Sequence, residues 1–348
     1  MAYTTINNPE LYFQTELFTG NASTGHAQTL DGSEDMQPDM VWFKNRDSTD
    51  VPSIYDAVRG ATERITPHDT ANESDQVNGL QSFNSDGFTV GGNAECNETG
   101  EKIVAWCWKA GTTSGLSGGS ITPDAYSFNT TSGFSIVKFE GNGTVGATVA
   151  HALGAVPKAI IIKGTDNYVN NWQVYHVVGG NTGNYVFNNT DAFADDDSRW
   201  NDTTPSSTVW TMGSGATLNY DGRTFVAYVF ADIQGFSKFG SYKGNGDADG
   251  PYIFLGFRPA LLIIKRKDST GDWLMYDIKR DGFNDQNDYL KVNATTAEQA
   301  DVDIDILGSG FKIRNTSNDG NNSSGTFIYM AWAETPFVNA EGVPGTAR

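Results

Sequence analysis

Three stretches decide the fold when laid over one another: Gln37-Pro38-Asp39-Met40-Val41-Trp42-Phe43-Lys44, Val156-Pro157-Lys158-Ala159-Ile160-Ile161-Ile162-Lys163 and Arg258-Pro259-Ala260-Leu261-Leu262-Ile263-Ile264-Lys265. In each, lysine follows proline by six residues, and the run between them reads as a continuous apolar strand. The similarity spreads outward from there. Upstream stand Phe18-Thr19-Gly20-Asn21, Phe139-Glu140-Gly141-Asn142 and Tyr242-Lys243-Gly244-Asn245, each an aromatic followed by a Gly-Asn turn. Downstream, Tyr55, Tyr175 and Tyr276 follow the lysine by 11, 12 and 11 residues. A closing strand recurs as Ile103 to Trp108, Phe225 to Phe230 and Phe327 to Trp332, shortly after Gly100, Gly222 and Gly325. A glycine-containing hairpin arm precedes it, at Asp86 to Val90, Trp210 to Gly213 and Gly308 to Ile313. Landmarks in one order at nearly one spacing mark an internal repeat of about 100 to 120 residues.

Alternation favours strands over helices. Asp301-Val302-Asp303-Ile304-Asp305-Ile306 sets aspartates on one face and aliphatics on the other. A sheet with one apolar face must bury it against a second layer, so the fold class expected is all-β, with tandem antiparallel β-sandwich units in three related repeats. The expected boundaries are 1–112, a Gly/Ser linker over 113–119, 120–234, and 235–348 including a C-terminal tail. The linker carries little apolar content, whereas only Asp232-Ile233-Gln234-Gly235-Phe236 separates the second and third units. The first unit is therefore expected to be the freer one.

The run Gly235-Phe236-Ser237-Lys238-Phe239-Gly240-Ser241-Tyr242-Lys243-Gly244-Asn245-Gly246, with Asp249-Gly250-Pro251, Gly256 to Ala260 and Ile264-Lys265-Arg266, resembles an uncharacterised family of virion proteins from marine tailed bacteriophages (cyanophage- and pelagiphage-like tail or particle-surface proteins). So do the segment from Asp47 to Arg64, Val104 to Gly111, and Ala331-Trp332-Ala333-Glu334-Thr335-Pro336-Phe337. The resemblance covers essentially the whole chain. It implies a structural protein of the particle, placed in a tail fibre or other host-facing appendage, and it implies no reaction.

Composition narrows the functions. Lys and Arg number 23 against 42 Asp and Glu, a formal charge of −19 over 348 residues. Such a surface repels phosphate, which argues against nucleic-acid binding. Aromatics at 12% and 39 Gly beside 11 Pro belong to a folded chain of strands and tight turns rather than to a disordered one. No apolar run reaches the roughly 18 residues of a membrane span, and Met1 to Ile6 shows no basic region leading into an apolar one. Neither membrane insertion nor a signal peptide is expected. Cys96 and Cys107 make no disulfide framework, which fits folding in a reducing host cytoplasm, although a single bridge between them stays open.

Chemistry is sparse. The four histidines, His26, His68, His151 and His176, lack the spacing of a zinc site, and His151 reads as a structural residue capping a turn. No Gly-x-Ser-x-Gly elbow and no phosphate loop occurs. Asp191, Asp195, Asp196, Asp197 and the trio Asp301, Asp303, Asp305 read as solvated rather than as the paired acids of a glycosidase. The chain is therefore expected not to be an enzyme. In Asn245-Gly246-Asp247-Ala248-Asp249-Gly250, the donors Asn245, Asp247 and Asp249 match the front half of a calcium loop, but Gly256 takes the twelfth place. A plain Asn/Asp/Gly turn and a weak Ca2+ site are both open there. Trp172, Trp200 with Asn201, Trp210 and Trp273 lie beside amides and carboxylates, and are candidates for stacking on a pyranose.

The expected function is a non-enzymatic structural protein on the virion surface, in an appendage that contacts host cell-surface glycan and other virion proteins. A capsid decoration or head-fibre role is the alternative, and a glycan-cleaving appendage the remote one. With no heptad stretch for a coiled coil, a homo-oligomer joined by sheet faces is expected, a trimer above all.

Overall fold

The structure is a computed structural model that describes residues 3–166 and 169–345, so Met1 and Ala2 lie outside it. It is nearly all β, built of antiparallel sheets. Three large sheets share one strand order. An opening strand (Phe13–Thr19, Phe134–Glu140, Ser237–Lys243) pairs with a closing strand (Lys102–Trp108, Thr224–Phe230, Thr326–Pro336). The closing strand pairs with a proline strand (Met40–Asn45, Ala159–Gly164, Phe257–Arg266), and that with a tyrosine strand (Ser53–Asp56, Gln173–His176, Trp273–Asp277). Fifth strands (Gly60–Ile65, Gly183–Val186, Gln286–Lys291) and sixth strands (Ser74–Asp75, Ala194–Asp195, Gln299–Leu307) follow. The hairpin arms form a smaller layer, with Gly87–Val90 on His26–Thr29, Val209–Thr211 on Thr148–Ala150 and Gly310–Ile313 on Tyr252–Phe254.

The registers make residues of the three sheets correspond. Met40 faces Trp108, Ala159 faces Phe230 and Leu261 faces Trp332, each two residues past the repeat proline. The closing strands are apolar on both faces because both are buried. In the first sheet, Ile103, Ala105 and Cys107 pack against the small layer, while Val104, Trp106 and Trp108 point the other way. In the second, Phe225, Ala227 and Val229 face their own layer, and Val226, Tyr228 and Phe230 the other side. That other side is common ground where all three large sheets pack into one core. Trp332 lies at the crossing, with ring centroids 5.5 Å from Trp108, 5.3 Å from Phe230 and 6.3 Å from Phe13.

The first sheet is thus not freer than the others. A glycine-rich joint frees the covalent connection, but it leaves the apolar inner face to be buried, and burial decides the arrangement. The inner faces of the three large sheets are buried against one another within the single chain. The sheets close into a ring through three matching backbone bonds, each from the residue before a sixth strand to the residue two past a repeat lysine: Glu73 N to Thr165 O (2.9 Å), Phe193 N to Lys267 O (2.9 Å) and Glu298 N to Arg46 O (2.8 Å). The repeat lysines are themselves buried and donate to loop carbonyls. Lys163 reaches Thr70 and Asn170, Lys265 reaches Thr190 and Gly271, and Lys44 reaches Asn45 and Ser48. Burial draws all three ammonium groups down to about 8.

A second ring of contacts uses the residue after each repeat tyrosine. Asp56 Oδ2 accepts from Tyr228 Oη (2.7 Å), Asp277 Oδ2 accepts from Trp106 Nε1 (3.1 Å), and His176 Nε2 donates to Tyr329 O (3.1 Å). Each of these joins a tyrosine strand to the closing strand of a neighbouring sheet. Asp56 also holds the enclosed guanidinium of Arg59, and Asp277 that of Arg280.

The Gly-Asn turns are built alike. Asn97, Asn219 and Asn321 are buried, and each accepts through Oδ1 from the backbone N–H of the turn asparagine, Asn21, Asn142 or Asn245. The chain passes so closely that a Cβ on Gly20, Gly141 or Gly244 would lie 2.1, 2.5 or 2.3 Å from a carbonyl oxygen. The glycine expected before the last closing strand is displaced by one residue. Gly100 (φ 81°) and Gly222 (φ 70°) correspond to Ser324 (φ 65°), whose N–H bonds Gly244 O, and not to Gly325. Both cysteines are buried free thiols, which closes the question of a bridge.

Candidate functional site

The tryptophans expected to meet sugar are enclosed. Trp172, Trp200, Trp210 and Trp273 all have no exposed surface, so none can present a ring face to a ligand. Trp172 and Trp273 stand three residues before their repeat tyrosines and fasten neighbouring sheets. Trp172 Nε1 donates to Thr66 O (2.9 Å) and Trp273 Nε1 to Val186 O (3.0 Å). Pro52 holds that place in the first sheet, and there Arg46 pairs with Glu298 instead (2.6 Å). Trp200 stacks edge-on to Tyr175, and Trp210 to Phe139, in the second sheet's outer core. Asn201 is the left-handed C-cap of the short helix Asp197–Trp200 (φ 50°), a backbone role.

The donors of the calcium-like loop are engaged elsewhere. Asn245 Oδ1 accepts from Asp247 N and from Asn321 Nδ2, both at 3.0 Å, and Asp247 Oδ1 accepts from Asp249 N (2.9 Å). The Asp249 carboxylate meets Lys312 at 2.6 Å and Arg314 at 3.2 Å, cations standing where a metal would need that oxygen. The same turn, without the carboxylates, is made at Asn21-Ala22-Ser23 and Asn142-Gly143-Thr144. Among the described residues no group of three or more His, Cys, Asp or Glu could hold a metal. No helix among them is long and apolar enough to cross a membrane.

His151 caps its turn as the sequence suggests. Its Nδ1 accepts from Leu153 N and its Nε2 donates to Ser206 O, both at 3.2 Å, and burial lowers its pKa to about 4.

The surface offers a different aromatic group. Tyr252 and Phe254 alternate outward from the edge strand Tyr252–Phe254, 46% and 52% exposed, with Ile253 turned inward. Phe337, 40% exposed, lies edge-on to Phe254 at 6.3 Å and to Tyr3 at 6.5 Å. Beside them opens a cleft of about 460 Å³ lined by Tyr3, Asp232, Gln234, Lys238 and Phe254 among others. Lys238 Nζ lies 5.6 Å from the centre of the Phe254 ring and donates to Phe254 O (2.8 Å). That contact bridges the two edges of the eight-stranded third sheet, so the cleft is the seam where the sheet fails to close. Burial raises the Asp232 carboxyl, opposed by the Phe239 N–H it accepts (2.9 Å) and by the nearby Lys158 and Lys238.

Among the described residues Asp232 is the one carboxylate lining the cleft, where a glycosidase of the usual kind needs two on opposite sides of the bond. Aromatic edges flanked by an amide, an ammonium and a carboxylate suit binding of a polyhydroxylated ligand. The signal for this site was present as alternation in Tyr252-Ile253-Phe254. The alternation alone does not say which face is covered; the exposure of Tyr252 and Phe254 shows that the aromatic one is not.

No curated protein matches the chain, and no solved structure does. One family model matches residues 8–336, from the first 3-10 turn to the end of the last closing strand, so a single model takes in all three large sheets. On that match the chain belongs to the family described as domain of unknown function DUF7483.

Proposed function

We propose that this protein is a non-catalytic structural and attachment module of a tailed-phage particle, which offers the seam of its third sheet to host cell-surface glycan. The observation that carries the glycan reading is the exposed aromatic group of Tyr252, Phe254 and Phe337 at the mouth of a polar cleft. Rings stack on the apolar face of a sugar, and Gln234, Lys238 and Asp232 supply donors and acceptors for its hydroxyls. The particle assignment rests on the sequence resemblance, and the rigid three-sheet core suits a part that bears load rather than one that turns over substrate.

The test is calorimetric titration with host envelope polysaccharide. Replacing both Tyr252 and Phe254 by alanine is expected to abolish the heat of binding and to leave stability within about 0.5 kcal/mol, since both side chains are exposed. Unchanged binding by that variant would remove the site. New reducing ends that vanish in Asp232→Asn would make the module an enzyme, and a map of the particle lacking this chain would remove the structural role.

A further inference from the structure

We propose that the cleft between the third and first sheets binds a protonated amine carried on an aliphatic stem, the chemistry shared by a lysine side chain and an aliphatic diamine. The inference starts from one position compared across the three sheets. Thr15 pairs with Trp106, Ile136 with Tyr228 and Phe239 with Met330, so these three residues occupy the same place in their opening strands. Ile136 and Phe239 are buried in the common core and fill their joints. Thr15 is as deeply buried, at 4% exposure, yet its hydroxyl has no hydrogen-bond partner. A buried hydroxyl left unpaired is destabilising, so a polar residue here where apolar ones serve twice points to something that the hydroxyl meets.

Thr15 is among the residues lining a cleft of about 210 Å³. Phe13, Ala260, Ile278 and Ala333 make apolar walls, suited to a run of methylenes. The charged lining residues are three carboxylates, Glu10, Asp31 and Glu334, against one ammonium, Lys279, on a chain whose net charge is already −19. Lys279 meets Asp31 at 2.6 Å, and Arg258 meets Glu334 at 2.7 Å. A carboxylate oxygen accepts more than one hydrogen bond, and a threonine oxygen also accepts from an ammonium. An anion would enter against the field of the chain, and a neutral chain end would leave the carboxylates unused. At the place of Lys279 the other two sheets carry Val58 and Val178, so the ammonium beside these carboxylates has no counterpart at that position in the other two sheets.

Nα-acetyl-lysine methylamide and 1,4-diaminobutane are the two probes, titrated into the full chain by calorimetry, with Nα-acetyl-norleucine methylamide as the uncharged control. Both amines are expected to bind saturably at one site, and the norleucine compound at least about tenfold more weakly. Tighter binding of the lysine compound identifies a partner's side chain as the source, and tighter binding of the diamine a free polyamine. Thr15→Val removes the hydroxyl at nearly constant volume. It is expected to raise the melting temperature of the free protein and to weaken both amines by about tenfold, a pair of effects that an incidental orphan hydroxyl would not produce together. Absence of saturable binding by either amine, or unchanged affinity in Thr15→Val, overturns the proposal.

Discussion

Asp277→Ala is expected to lower the stability of the whole chain by about 3–5 kcal/mol, the range for breaking a buried ion pair from one side. The carboxylate is enclosed and fully used. Its Oδ1 accepts from Lys279 N and Arg280 N, and its Oδ2 from Arg280 Nε (2.5 Å) and Trp106 Nε1 (3.1 Å). Removing it strands a guanidinium with no exposed surface, which Glu298 (2.7 Å) only partly compensates, and leaves an indole N–H of another sheet without an acceptor. Asp277→Asn keeps an acceptor and loses the charge, so it should fall between the alanine variant and the wild type. Urea unfolding followed at once by tryptophan fluorescence and by far-ultraviolet dichroism is the measurement, and the two probes should move together because the three sheets share one core. A loss under about 1 kcal/mol, or a first sheet that keeps its own transition, would show that the ring does not act as a unit.

Acid should loosen the molecule at two histidines. His176 and His151 are both held near pKa 4 by burial, against an ordinary 6.5, and in each ring both nitrogens are satisfied only in the neutral form. The folded-state pKa is the depressed one. Stability is therefore complete above pH 6.5 and is lost as the pH falls towards 4, where the unfolded chain binds a proton that the folded chain refuses. The loss is on the order of 3 kcal/mol per histidine. Glu16, raised to about 7 by burial and by Asp31, works in the opposite sense over the same window, so the informative quantity is a difference between variants. His176→Gln can still donate to Tyr329 O and should lie below the wild type at pH 7.5, with the gap shrinking by about 3 kcal/mol at pH 4. A gap independent of pH would mean that His176 does not titrate as its burial requires.

Much of this architecture was legible in the residues. The proline-to-lysine spacing located three strands, each pairing with a closing strand on one side and a tyrosine strand on the other, and Asp301 to Ile306 forms the strand its alternation suggests, with Val302, Ile304 and Ile306 buried. The tryptophans were misread because an indole beside an amide looks the same in a sequence whether it faces water or a neighbouring sheet. A positional signal was there all the same. Trp172 and Trp273 fall at the same distance before the repeat tyrosine, which marks a place in the framework rather than in a binding surface. Asn97, Asn219 and Asn321 likewise follow their turn asparagines by 76, 77 and 76 residues. The mutual packing of the sheets was harder to see. An apolar run such as Ile103 to Trp108 says that both faces are buried, but it cannot say that one of them meets two other sheets.

The ring also makes the order of the sheets along the chain cyclic. Two of its joints carry a covalent connection and the third, between the last sheet and the first, does not, though the same backbone bond closes all three. Near that open joint Tyr3 touches Phe337, and Asn7 exchanges hydrogen bonds with Glu341 and Ala340. A joint without a covalent connection is therefore bonded in the same way as the two that have one. A circular permutant that begins at residue 120, ends at residue 112 and carries a short link from residue 345 to residue 3 should reach the same structure, with the seam of the third sheet then supported by a continuous peptide.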